Sequence, residues 1–272
     1  MTDTSHRMAD RFRDLHRPGQ PLLMANPWDA GSAKLLASIG FQALATTSGG
    51  HAATLGKLDG SVGREAALQH AAEVVAAVDV PVSADLEDGF AAEPDAVAAT
   101  VRKAVAVGLA GCSIEDFSAA DRTIFPFDHA VERVRAAAEA AHGTEGGLVL
   151  TARAENHIRD NPDLDDTIAR LQAFQEAGAD VLYAPGLTSI EDIRRVIGAV
   201  DRPVNVLAMP GAPSVAELAE AGAARLSVGS AFALVALGAV IEAGRELLDQ
   251  GTYGFWEGAL EGSRHVRQAF KD

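Results

Sequence analysis

Three carboxylates stand within four positions where an apolar run ends in SADLEDGF: Asp85, Glu87 and Asp88. Like charges at that spacing repel, and strand alternation sends Asp85 and Glu87 to the same side of an extended end. A hard cation would relieve the repulsion; a solvated acidic loop opening the next helix is the plainer alternative. A second apolar run, GCSIEDF, also ends in acids, Glu115 and Asp116, so two strand ends direct carboxylates at one point. Asp59 can add another. The absence of clustered His and Cys favours Mg²⁺ over Zn²⁺, with Mn²⁺ as a substitute.

The opposite charge comes from LTARAEN, which carries Arg153 and Glu155. Arg153 could fork onto a substrate carboxylate or a developing enolate oxygen, or serve as a structural ion pair with its acidic neighbours. In TTSGG, Ser48, Gly49 and Gly50 can turn backbone N–H groups toward an anion. His51 follows and is the histidine best placed to protonate an enolate; turn capping or a supporting contact is its alternative. His157, just after ARAEN, has the same two readings. The remaining six histidines show no metal-ligand spacing. In the loop after the IED run, Arg122 is a cation that ordinary solvation would equally explain.

These residues must be held by elements, and the chain repeats one unit: a short apolar run, a polar or glycine loop, then a helical stretch. Expected strands are 22–25, 43–46, 80–84, 111–114, 148–152, 181–183, 204–207 and 225–228, unbroken as doubly buried parallel strands should be. Between them helical patterns cover 64–78, 95–107, 129–141, 164–177, 190–200 and 215–221. Gly40, Gly108, Gly143, Gly178 and Gly222 punctuate helix ends. Eight strands predict a single (β/α)8 TIM barrel over 1–272. An N-terminal helix is expected within 1–20, and a helical tail in 251–272 with apolar Phe255, Trp256, Leu260 and Phe270. Two stretches are expected to be irregular, 51–61 and 116–127, both at the carboxyl face of the barrel.

Of 272 residues, 38 are acidic and 23 are Lys or Arg, a net charge of −15 that disfavours nucleic acid. A single cysteine, Cys112, excludes a disulfide framework and fits a cytoplasmic setting. The first twenty residues lack the apolar core of a signal peptide. The longest apolar stretch, 227–243, is too short to cross a bilayer and is expected to be a strand end followed by a buried helix.

NPWDAGSAKLLASIGFQALATTSGG (26–50), SADLEDGF, GCSIEDF, TARAENH and NVLA together resemble the isocitrate lyase / phosphoenolpyruvate mutase superfamily. The resemblance implies a (β/α)8 barrel whose last helix is often swapped between subunits, a homotetramer or dimer, and Mg²⁺ chemistry on 2-oxo acids or related small carboxylates. By position it implies that Ser48, Gly49 and Gly50 hold a substrate carboxylate. Asp85 would be the principal metal ligand, with Asp59, Glu87 and Glu115 binding directly or through waters. Arg153 would contact the reacting oxyanion and Asn205 the substrate; Trp28 would line the pocket or pack.

Two family features are missing. The lyases carry a Lys-[Lys/Arg]-Cys-Gly run after the fourth strand, where this chain reads EDFSAADRTIFPFD without Cys or Lys. The mutases and phosphonopyruvate hydrolases place Lys with Asn or Ser in that loop, and a His near the position of Tyr183, Ala184 and Pro185; these too are absent. Decarboxylation of a 2-oxo dicarboxylate needs neither group, because a chelated Mg²⁺ is the electron sink. Oxaloacetate-type decarboxylation is therefore the expected reaction. A C–C lyase of the isocitrate or methylisocitrate type, phosphonate chemistry, and a barrel that binds 2-oxo acids without turnover are the alternatives.

Overall fold

The computed structural model describes residues 2–143 and 147–270. Eight apolar runs form parallel strands: β1 (Leu22–Met24), β2 (Leu44–Ala45), β3 (Val82–Asp85), β4 (Gly111–Glu115), then, after a hairpin of β5 (Phe117–Ser118) and β6 (Thr123–Ile124), β7 (Val149–Arg153), β8 (Val181–Tyr183), β9 (Val204–Leu207) and β10 (Arg225–Ser227). Their order is β1-β10-β9-β8-β7-β4-β3-β2. A parallel bridge between Ala25 and Leu44 joins the two ends, making the (β/α)8 barrel expected from the sequence.

Alternation divides the core in two. Leu150 and Ala152 of β7 point outward and pack with Leu44, Val82, Cys112, Leu182 and Val206 against the helices, whereas Val149 packs inward with Leu22, Ala43, Ala45 and Val181. Burying one Leu side chain is worth about 1.5–3 kcal/mol, so the outer layer carries much of the stability. The N-terminal helix α1 (Thr2–Asp14) plugs the amino end with Phe12, close enough that a Cβ on Gly111 would lie 2.6 Å from its ring.

The helices follow the sequence reading closely. They are α2 (Ala30–Ser38), α3 (Ser48–Thr54), α4 (Arg64–Ala77), α5 (Pro94–Ala106), α6 (Phe127–His142), α7 (Leu164–Glu176), α8 (Ile190–Gly198), α9 (Val215–Glu220), α10 (Ala231–Arg245) and α11 (Trp256–Ala269). Side-chain caps fix several starts: Asp29, Asp163, Ser189 and Ser214 each accept the backbone N–H three residues on. Among the helix-closing glycines, Gly40 and Gly178 take φ near +107° and +106°, whereas Gly143 stays at −75°.

Four local expectations are corrected. The stretch 51–61 is helical up to Thr54, because Thr47 caps α3 by accepting from Gly50 N–H. The stretch 116–127 contains the β5–β6 hairpin, its turn held by Arg122 N–H donating to Ser118 O at 2.8 Å. Glu87 does not continue an extended strand: its φ is +49°, and Gly89 N–H donates to Leu86 O at 2.8 Å to close a turn. The helix within 227–243 is not buried, since only Ala233 of α10 is.

Leu234, Val235, Val240 and Ile241 of α10 are all more than half exposed. An apolar helix left outside the barrel wall is unusual for a chain that stands alone. Beyond it a π-helical turn (Glu246–Gln250) leads to α11, whose end packs near α2, with Phe270 3.5 Å from a Cβ position at Gly31. Among the described residues no helix is long and apolar enough to cross a membrane.

Candidate active site

Strand ends at the carboxyl face bring the sequence-selected charges together around a cleft of about 370 Å³. Ser48, Asp59, Asp85, Glu87, Glu115 and Arg153 line it. Register makes this possible: Asp85 pairs with Ser113, and Glu115 with Arg153, so β3, β4 and β7 end at similar heights. Asp85 is held from two sides, accepting Ser48 Oγ–H at 2.9 Å and pairing with Arg153 Nη1 at 3.1 Å. Arg153 also reaches Glu115 at 3.2 Å and Glu155 at 2.8 Å, and its guanidinium lies 5.2 Å from the Tyr183 ring centre. Three carboxylates around Arg153 hold its positive charge firmly.

Negative charge is in surplus on the other side of the cleft. Burial first, then Asp85, Asp59 and Asp88, push the Glu87 carboxyl up to about 8. Burial also pushes Glu115 upward, against the pull of Arg153 and Arg159. Among the described residues no three His, Cys, Asp or Glu side chains close into a cage for a metal ion. One or two carboxylates facing an open cleft are, however, the donor set on which Mg²⁺ sits while keeping several waters. The residues fit that ion, and its charge would offset the surplus at Glu87.

Other selected residues lie off the cleft wall. His51 stacks on His70 with ring centres 3.9 Å apart, its Nε2 buried and unpartnered, and burial lowers its pKa. Trp28 is half-buried, its carbonyl accepting from His70 Nε2 at 3.0 Å. Gly50 is packed against Thr47 and Trp28; a Cβ there would sit 2.5 Å from Thr47 Cγ2. Gly49 allows the close approach of the Ser230 hydroxyl and the Asp59 carboxyl, 2.7 and 3.3 Å from where its Cβ would be. Asn205 lies deeper, donating to Ser227 Oγ at 2.9 Å and accepting from Arg225 Nε at 3.0 Å. It borders a small chamber of about 60 Å³ that also touches Asp85, Arg153 and Tyr183.

Sequence reasoning missed several neighbours. Arg159 lines the cleft and pairs with Glu115 at 3.3 Å and Glu155 at 3.1 Å; its spacing of four from Glu155 was the available signal. Arg225 is a buried guanidinium whose partners are the uncharged Asn205, Thr151 and His16; burial pulls it down to about 10 and His16 to about 3. An Arg inside an apolar strand run was its clue. Arg133 of α6, fully buried, donates to the carbonyls of Asp88, Ala91, Ala92 and Glu115, tying the two acidic strand ends together from behind. Cys112 is buried in β4 with its thiol pushed up to about 12, so it offers the cleft no acid.

The profile of the phosphoenolpyruvate phosphomutase family matches residues 12–248. A Burkholderia cenocepacia J2315 protein provisionally described as a lyase/mutase superposes with a TM-score of 0.94 at 48% identity, covering 99% of this chain and 98% of that one. An uncharacterised Mycobacterium tuberculosis protein is 34% identical over 88% of this chain and 89% of its own. The 2-methylisocitrate lyase of Escherichia coli K12 is 30% identical over 73% of this chain and 69% of its own. Oxaloacetate decarboxylase 1 of Pseudomonas putida W619 is 26% identical over 75% and 72% respectively. With its barrel, its acidic strand ends and a family match over most of its length, the chain belongs to the phosphoenolpyruvate mutase / isocitrate lyase superfamily of lyases and mutases.

Proposed function

We propose that the protein is a Mg²⁺-dependent enzyme that decarboxylates an oxaloacetate-type 2-oxo dicarboxylate through an enolate. The observation that carries this reading is a cleft that gathers the carboxyls of Asp59, Asp85, Glu87 and Glu115 with Arg122, Arg153 and Arg159, bordered by no thiol and no lysine among the described residues. Asp85 would be the principal ligand, with Asp59, Glu87 and Glu115 reached directly or through waters, Glu115 through water while both its oxygens pair with Arg153 and Arg159. Bound there, Mg²⁺ would supply Lewis-acid polarisation of the 2-oxo group and its adjacent carboxylate.

The chain's own groups account for the rest. Ser48, at the cleft, would hold the substrate carboxylate together with the backbone N–H of Gly49, while Gly50, whose N–H caps α3 on Thr47, would shape the turn. Arg153, fixed by Glu155, would face the oxygen on which charge develops as the bond to the distal carboxylate breaks. CO₂ leaves without the bonding electrons, which remain as the enolate; protonation at carbon then gives the 2-oxo product. His51 lies off the cleft, and in this reading water entering the open mouth would supply that proton.

A second reading, C–C lyase chemistry, is favoured by the 30% identity with 2-methylisocitrate lyase and opposed by the missing cysteine loop. The deciding experiment is pyruvate release from oxaloacetate with and without Mg²⁺, using Asp85→Ala to control for catalysis by free metal. Turnover well above that control supports the decarboxylase. No excess turnover refutes it and moves the search to lyase and phosphonate substrates, then to binding alone.

The exposed face of α10 also supports association of this chain with itself through that helix, with dimer and tetramer both accommodated.

A further inference from the structure

Behind Arg153 lies a closed ring of charged side chains. Glu155, with 0% of its side chain exposed, offers one oxygen to Arg153 at 2.8 Å and the other to Arg159 at 3.1 Å. Glu115 does the same, one oxygen meeting Arg153 at 3.2 Å and the other Arg159 at 3.3 Å. Each glutamate therefore bridges the same two guanidiniums. Arg153 sits at the inner corner, where it also meets Asp85. Arg159 sits at the outer corner, its side chain 37% exposed.

The outer corner is fixed in turn. Arg159 belongs to a short 3₁₀ turn (His157–Arg159), where its N–H donates to Glu155 O at 3.1 Å. Its guanidinium lies 3.8 Å from the ring centre of Phe117, on the first strand of the β5–β6 hairpin. A buried carboxylate shared by two forks is held in one orientation, and a guanidinium bonded to such carboxylates loses little freedom when substrate arrives.

We propose that Arg159 is a positioning residue for Arg153. By occupying the second oxygen of both Glu115 and Glu155, it fixes the pair that aims Arg153 at the reacting oxygen, and the hairpin holds it there through Phe117. The inference rests on the decarboxylase reading for its substrate but not for its geometry. Removing Arg159 leaves two buried glutamates to one guanidinium, which they then draw away from the cleft.

A positioning role acts on the transition state more than on substrate binding, so kcat and KM separate the possibilities. Arg159→Gln is expected to lower kcat at least tenfold with KM changed less than threefold, and Arg159→Lys to recover part of the loss. A risen KM with unchanged kcat would instead show Arg159 binding substrate directly and would overturn the proposal, as would unaltered kinetics. Binding of oxalate, a planar dianion shaped like the enolate of pyruvate, measured by calorimetry with Mg²⁺, gives a readout independent of turnover. Oxalate affinity is expected to fall at least tenfold in Arg159→Gln, and equal affinity in variant and wild type overturns the ring's role. If the wild type fails to decarboxylate yet the variant loses oxalate, the reaction assigned above is wrong and the positioning role stands. Circular dichroism of Arg159→Lys and Arg159→Gln against wild type establishes that both variants are folded.

Discussion

Replacing Glu87 by Gln isolates the surplus charge of the cleft. In the metal-free protein this carboxyl keeps its proton up to about pH 8, against an ordinary 4.5. Between those values the folded chain binds more protons than the unfolded one, so stability is fullest below pH 4.5 and falls as pH rises toward 8. The full shift corresponds to about 5 kcal/mol, and solvent reaching the carboxyl from the cleft screens this to about 2–3 kcal/mol. Gln keeps the shape without the charge. In EDTA at pH 8, urea unfolding should find Glu87→Gln more stable than wild type by about 2–3 kcal/mol, with the gain vanishing near pH 4. Saturating Mg²⁺ should narrow the gap at pH 8, since the ion stabilises the carboxylate and not the amide. A variant less stable than wild type at pH 8 in EDTA, or one whose offset is the same at both pH values, would refute the reasoning.

Three further outcomes follow from particular contacts. Arg133→Met strands four carbonyls that a fully buried guanidinium now satisfies, and should cost at least about 3 kcal/mol in urea unfolding; a loss under 1 kcal/mol would contradict that role. Gly49→Ala puts a methyl 2.7 Å from Ser230 Oγ, and should raise KM for the substrate about fivefold or more, whereas an unchanged KM would show that this turn is not part of the binding wall. Leu234→Glu with Val235→Glu places charge on the open face of α10 and should lower the mass found by light scattering; an unchanged mass removes that face from the interface.

The barrel was legible because the strands are short and apolar, helical patterns lie between them, and several of those patterns end at a glycine. The ends of β3, β4 and β7 were equally plain, since charged residues directly after apolar runs have few uses in a core. What remained hidden depended on contacts between distant elements. Glu87 reaches the cleft through a left-handed turn that period-two alternation does not describe. Arg133 and Arg225 act through bonds spanning 18 to 209 positions along the chain. The sequence 231–245 has the composition of a buried helix, and nothing local shows that its apolar face is left uncovered by its own barrel.

Titrating the protein with Mn²⁺ and following free metal by electron paramagnetic resonance tests the placement of the metal most directly. Wild type should take up one ion per chain and Asp85→Ala should take up none at the same concentrations. Equal uptake by the two proteins would contradict a metal site at the ends of β3 and β4.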